Sequence, residues 1–213
     1  MVGKKLIASG WHIPSCAEIR ERIADMEKLP FDGLILNGDM YYPFWGPFSD
    51  EHRAKLAEQV AQLRATPFHR FTDNFLVAES GNDGTFDWFD STDWLAANFR
   101  DLARAAKEAG LRGIHLDPEC YTGPGPFHYA GRRHSDEKTP EEYAARVREV
   151  GKQVMRAVNE VYPDITFLLY FGSSWAGCPA NLTKGYGLLP AFIDGLLSEC
   201  QPGATIVDGY EQA

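Results

Sequence analysis

The sequence predicts an α/β protein built as a (β/α)8 TIM-type barrel, present only in part. Three observations carry this expectation. Short apolar runs alternate with amphipathic helical stretches along the whole chain, which is the pattern of a parallel sheet with helical crossovers. The connections after the helices are short, whereas those after strands two to five are long and rich in Gly, Pro and aromatic residues, as on the elaborated C-terminal face of a barrel. No G-x-G-x-x-G follows the first strand, so a dinucleotide-binding sheet loses its best evidence.

The strands expected in order are residues 5–10 (KLIASG), 33–37 (GLILN), 74–79 (NFLVAE), 113–117 (GIHLD), 165–171 (ITFLLYF) and 205–208 (TIVD). The first helix opens on a capping box, Ser15 to Glu18, and places Ile19, Ile23 and Met26 on one face. Leu56, Val60 and Leu63 mark the second helix, and Leu95, Phe99, Leu102 and Ala106 the third. The fourth opens on a second box, Thr139 to Glu142, with Pro140 at the first helical position. Tyr143, Val147, Val150, Val154 and Val158 follow at steps of three and four. Leu189, Phe192 and Leu196 mark the fifth.

Five repeats occupy about 200 residues, or about 40 each, so eight would need roughly 320 where a barrel ordinarily takes ~250 or more. The expectation is one domain over residues 1–213 with about six βα units and the last two missing. Two explanations stay open: truncation at the C-terminus, which the arithmetic favours, or a complete chain whose edge strands are covered by a second copy or an added element.

The 213 residues carry a formal charge of −9, and 44% are apolar. This is the composition of a globular protein with a substantial core. The acid excess argues against nucleic acid or an anionic membrane as partner, since both need clustered Lys and Arg, and Arg132-Arg133 is the only basic pair of note. No apolar run approaches the ~20 residues of a spanning helix. The first residues do not read as a secretory signal, which makes a cytoplasmic location the default expectation. Cys16, Cys120, Cys178 and Cys200 are widely spaced, so neither a zinc ribbon nor a disulfide scaffold is expected.

The sharpest chemical signal is GIHLDPECY, residues 113–121. Side chains alternate along a strand, so Ile114, Leu116 and Pro118 share the face toward the helices, and His115, Asp117 and Glu119 the face toward the barrel interior. Polar groups stacked there are costly unless paired or hydrated. Asp117 and Glu119 lie about 6.5–7 Å apart along the strand at ~3.3 Å per residue, close enough for one carboxylate to hold the other protonated. That is the device glycoside cleavage needs to protonate a leaving oxygen. His115 is expected first as a hydrogen-bond partner of a neighbouring carboxylate.

The same segment resembles the strand-four signature of glycoside hydrolase family 18, the chitinase-like barrels, which ends in D-x-D-x-E. The resemblance implies Glu119 as general acid and Asp117 as the carboxylate orienting a substrate 2-acetamido group. His115, Arg112 and Pro118 depart from that signature. A broader likeness, to (β/α)8 glycoside hydrolases with an acid/base Glu at the end of strand four, implies a nucleophile from strand seven, beyond this chain.

Acidic groups recur at other strand exits, with Asp39 after strand two, Glu79 ending strand three and Glu211 after strand six. Aromatic residues occupy the same loops: Trp11, Trp45, Trp88, Tyr121, Trp175 and Tyr210. Flat apolar rings beside carboxylates suit a sugar, which presents C–H faces between hydroxyls. Glu119 and Asp117 are therefore the expected catalytic pair of a glycosidase. Asp39, Glu79, His115, Trp11, Trp45, Tyr121, Trp175, Tyr210 and Glu211 are expected to bind a carbohydrate substrate, with no cofactor and no metal. The alternatives are a Mg²⁺- or Mn²⁺-dependent sugar isomerase, lyase or hydrolase with Asp39, Glu79, Asp117 and Glu211 as ligands and His115 as base, or a non-catalytic carbohydrate-binding barrel. Asp83, Asp87, Asp90 and Asp93 read as loop solvation and helix caps.

Overall fold

In the computed structural model, residues 4–10, 14–36, 43–81, 86–121, 123–176 and 180–209 are described. The strands are β1 (Ile7–Ala8), β2 (Gly33–Leu36), β3 (Phe75–Glu79), β4 (Gly113–Asp117), β5 (Thr166–Leu169) and β6 (Thr205–Asp208). Between them run α1 (Cys16–Met26), α2 (Asp50–Arg64), α3 (Asp93–Glu108), α4 (Pro140–Asn159) and α5 (Leu189–Ser198). The six strands form one sheet in chain order, and every neighbouring pair is parallel. A doubly wound sheet reverses its strand order at a switch point. Here no reversal occurs, and since parallel crossovers take one hand, successive ones between neighbours carry the helices to one face of the sheet. The chain is a partial (β/α) barrel of six strands.

The core follows from that winding. Leu34, Leu36, Leu76, Ala78, Ile114, Leu116, Phe167 and Leu169 form one cluster with the apolar stripes of the helices, including Ile19, Leu56, Phe99, Val154 and Phe192. Ile35, Phe75, Val77 and His115 are also buried but stand outside the cluster, on the opposite face of the sheet. The expected alternation of β4 is thus present.

Local signals set the element ends. The boxes at Ser15/Glu18 and Thr139/Glu142 both form, and a third forms at Ser49 with His52 as the reciprocal partner. Gly110 closes α3 with φ +72°, a conformation that favours glycine. Gly113 starts β4 where a Cβ would stand 1.9 Å from the Thr166 carbonyl oxygen, so only glycine allows the two strands this approach. Helices α4 and α5 cross at Gly151 and Gly195, where a Cβ would meet backbone oxygens at 2.5 and 2.2 Å. The first strand is shorter than expected. It lies at the sheet edge with one neighbour, and ahead of it the Leu6 amide bonds the Asp32 carboxylate while Lys5 pairs with Asp32 and Asp73.

The loops at the C-terminal ends of the strands are held by a buried layer. Phe44 packs edge-on against Phe86, Trp88, Phe99, Phe127 and Phe192, at centroid distances of 5.6–6.1 Å. Asn98 on α3 takes the Phe48 amide and donates to the carbonyls of Pro43 and Gly46. Arg132 is 3% exposed and donates to the carbonyls of Phe86 and Pro124, tying the β3–α3 loop to the β4–α4 loop. Asp87 corrects the reading of that residue as loop solvation. It is fully buried, and its carboxylate accepts from the Tyr143 hydroxyl at 2.8 Å. Trp88, expected among the site aromatics, is likewise fully buried, with its indole N–H on the Pro126 carbonyl.

No described helix is long and apolar enough to cross a membrane. Cys16, Cys120 and Cys200 are unbridged, and Cys178 lies outside the described residues.

Candidate active site

Asp117 is the last residue of β4, and Glu119 stands two residues beyond it, at the C-terminal end of the sheet. The register places Glu79, the last residue of β3, beside Asp117. All three side chains are half-buried. The Asp117 carboxylate accepts the Glu119 backbone N–H at 2.9 Å. A carboxylate bonding the amide two residues on makes a tight turn, here one that sets the direction in which Glu119 leaves the strand. The Tyr121 hydroxyl then donates to Glu119 Oε2.

An aromatic group comes from the chain after β5. Phe171 and Trp175 stack at 4.5 Å with an interplanar angle of 21°, and Tyr186 packs against both, at 5.3 Å from Phe171 and 6.5 Å from Trp175. Burial pushes the Tyr186 hydroxyl up to about 12, and the charges of Glu119 and Asp117 add to the shift. Tyr121 is raised as well, by loss of hydration first, then by its hydrogen bond to Glu119 and the two carboxylate charges. Both phenols therefore stay protonated donors at neutral pH, beside two acids and a stacked aromatic pair. At the end of β6 the Asp208 carboxylate lies against Gly172, where any Cβ would collide with it.

His115 occupies a different environment from the one expected. It is fully buried, its ring meets Tyr170 edge-on at 4.1 Å, and neither ring nitrogen has a hydrogen-bond partner among the described residues. Its register neighbours are Val77 and Leu168, so the strand supplies apolar contacts where a carboxylate partner was expected. Burial alone lowers the imidazole to about 3. In this structure it is enclosed, and the expected role in substrate contact has no surface to act through.

Of the remaining expected residues, Trp45 is 52% exposed in the loop after β2, and Tyr121 is 69% exposed. Trp11, Asp39, Tyr210 and Glu211 lie outside the described residues. Asp39 and Glu211 are two of the four ligands of the metal-dependent alternative. Among the described residues no group of three or more His, Cys, Asp or Glu side chains converges as a cation site. Tyr186, beside the acid pair, was not among the residues the sequence pointed to. Its only signal was its place between Gly185 and Gly187, which marks a backbone turn and not a site.

No sequence-family profile matches the chain, so the family 18 resemblance rests on residues 113–121 alone. No curated protein matches it either. Among solved structures, the chain is similar to an exo-beta-1,4-mannosidase, Op5Man5, from Opitutaceae bacterium strain TAV5. The TM-score is 0.47, the identity 14%, and the match covers 96% of this chain and 52% of that one. The chain thus spans about half the length of the mannosidase it matches.

Proposed function

We propose that this barrel hydrolyses a glycosidic bond, with Glu119 as the group that protonates the leaving oxygen. One observation carries the reading: Asp117 and Glu119 leave the same strand at the C-terminal end of the sheet, joined through a turn that Asp117 itself closes, and their charges act on the phenol of Tyr186, which packs against Trp175. Cleavage requires a proton delivered to the glycosidic oxygen as the bond to the anomeric carbon breaks, while water adds to that carbon. The proton that Glu119 gives is recovered from the attacking water, so the balance is one water consumed per bond. Asp117 fixes the direction of Glu119 and supplies a negative charge beside the developing positive charge at the anomeric carbon. Tyr121 holds one Glu119 oxygen, leaving the other for the proton. Trp175 offers an apolar face to a sugar ring, with Glu79 and Trp45 as further substrate contacts. The same assignment extends to Trp11, Asp39, Tyr210 and Glu211.

The test is turnover of a panel of nitrophenyl glycosides, covering hexosides, pentosides and N-acetylhexosaminides, by the native chain and by Glu119→Gln. The variant should lose turnover with its melting temperature within about 2 °C of the native value, because the half-exposed carboxylate contributes little to stability. Turnover retained in the variant removes Glu119 from the role. Saturable sugar binding by a native chain that cleaves nothing marks a non-catalytic barrel.

A further inference from the structure

We infer that Tyr186 is a ligand-contacting residue of this site, its phenol donating a hydrogen bond to an oxygen of the bound saccharide. The inference rests on the glycosidase reading for the identity of that ligand.

Tyr186 has φ +59° and is the only non-glycine residue with a left-handed backbone among those described. A bulky side chain is rarely held in that region, because its Cβ crowds the backbone, and such residues concentrate where the surroundings fix them for function. The surroundings here are specific. Gly187, the next residue, donates to the Lys184 carbonyl at 2.9 Å, and a Cβ on it would strike the carbonyl oxygens of Asn181 and Leu182 at 2.5 Å. Leu188 bonds the Phe127 carbonyl, and Leu189 returns to the Tyr186 carbonyl at 3.0 Å as α5 begins. The turn is thus built around position 186, where a glycine would adopt the same backbone without strain. The chain keeps a strained tyrosine there instead, so the reason lies in the side chain.

That side chain has two ends. The ring closes a corner with Phe171 and Trp175. The hydroxyl faces the Cys120 backbone N–H and the carboxylates of Glu119 and Asp117. Its oxygen is approached by the Cys120 donor. A protonated phenol between a stacked indole and a pair of acids offers what a sugar resting on Trp175 lacks from carboxylates alone: a donor for a ring, glycosidic or hydroxyl oxygen.

Two measurements test this. With a glycoside from the panel that the native chain cleaves, Tyr186→Phe keeps the ring and removes the hydroxyl. It should lower kcat/KM by about 10-fold or more, with the melting temperature within about 2 °C of native. An unchanged kcat/KM, or a loss matched by a large fall in melting temperature, overturns the inference. The second measurement needs no turnover. With 3-fluorotyrosine placed at 186, the ¹⁹F resonance reports ionisation of the phenol, and Glu119→Gln should move that titration to lower pH by removing a neighbouring negative charge. A titration indifferent to Glu119→Gln overturns the inference even if no glycoside is cleaved. A native chain that cleaves no glycoside of the panel sinks the glycosidase reading, native-like turnover by Glu119→Gln removes only Glu119 from its role, and in either case the fluorine titration still decides whether Tyr186 faces the acid pair.

Discussion

The imidazole of His115 lies edge-on to the ring of Tyr170, 4.1 Å between centroids, with both of its nitrogens buried and unbonded among the described residues. Enclosure without a partner favours the neutral form, and burial holds the group at about 3 against an ordinary 6.5. The unfolded chain therefore binds a proton that the folded chain refuses between these two values. Stability is unaffected by this residue above about pH 6.5, and is lost as pH falls from there toward 3, by at most about 1.4 kcal/mol per unit. Urea unfolding of the native chain and of His115→Leu at pH 7.5, 6.0 and 4.5 checks this. The variant should gain on the native chain with each step down. Parallel pH profiles would show that His115 is not held neutral by the fold.

The buried carboxylate of Asp87 is held by the Tyr143 hydroxyl and lies near the buried Arg132 guanidinium, whose charged form burial disfavours and Asp87 favours. Tyr143→Phe leaves that carboxylate one donor short and should cost about 1.5–3 kcal/mol. Asp87→Ala leaves a buried cation without its counter-charge and should cost about 3–5 kcal/mol. The double variant should fall short of the sum, because both changes break one network. Chemical denaturation of the three chains decides it, and strict additivity would show that the groups act independently.

At the α4–α5 crossing, Gly151→Ala places a methyl 2.5 Å from the Phe192 carbonyl oxygen. Alanine favours a helix by about 1 kcal/mol over glycine, yet overpacking against backbone costs about 1–3 kcal/mol. The contact should win because its partner is backbone and cannot rotate away. A fall in unfolding free energy confirms it, and a rise would mean that the helices separate freely.

The sequence made the regular parts of this fold legible and left the contacts between loops obscure, and particular residues show why. The 113–117 strand and the helix opened by Thr139-Pro140 appear where alternation and capping chemistry put them, since both signals are local. The cap at Ser49 escaped notice because its reciprocal partner is His52, outside the usual Glu or Gln. Asp87 read as loop solvation and Trp88 as a site aromatic because their partners, Tyr143 and the Pro126 carbonyl, lie 56 and 38 residues away. His115 shows the same limit in reverse. Its place on the inner face was readable, whereas its apolar neighbours come from β3 and β5. At the site, the Asp117–Glu119 spacing was visible, but the approach of Tyr186 to the pair comes with a left-handed backbone at that residue that no local pattern announces.

Trp88 and Trp175 separate structure from binding. Trp88 is fully buried within the aromatic layer, while Trp175 is half-buried and stacks on Phe171 through one face. A sugar resting on the indole of Trp175 gains contact in the ground state and the transition state alike. Trp175→Ala should therefore raise KM, or the Kd for an oligosaccharide, by about 10-fold, with a much smaller change in kcat. Trp88→Phe should instead lower the unfolding free energy by about 1–3 kcal/mol, by leaving a void and an unbonded Pro126 carbonyl, and should leave KM unchanged. Isothermal titration with the saccharide, alongside denaturation of both variants, distinguishes the two roles. Equal saccharide affinity in Trp175→Ala and the native chain would show that the stacked indole is packing and not a sugar platform.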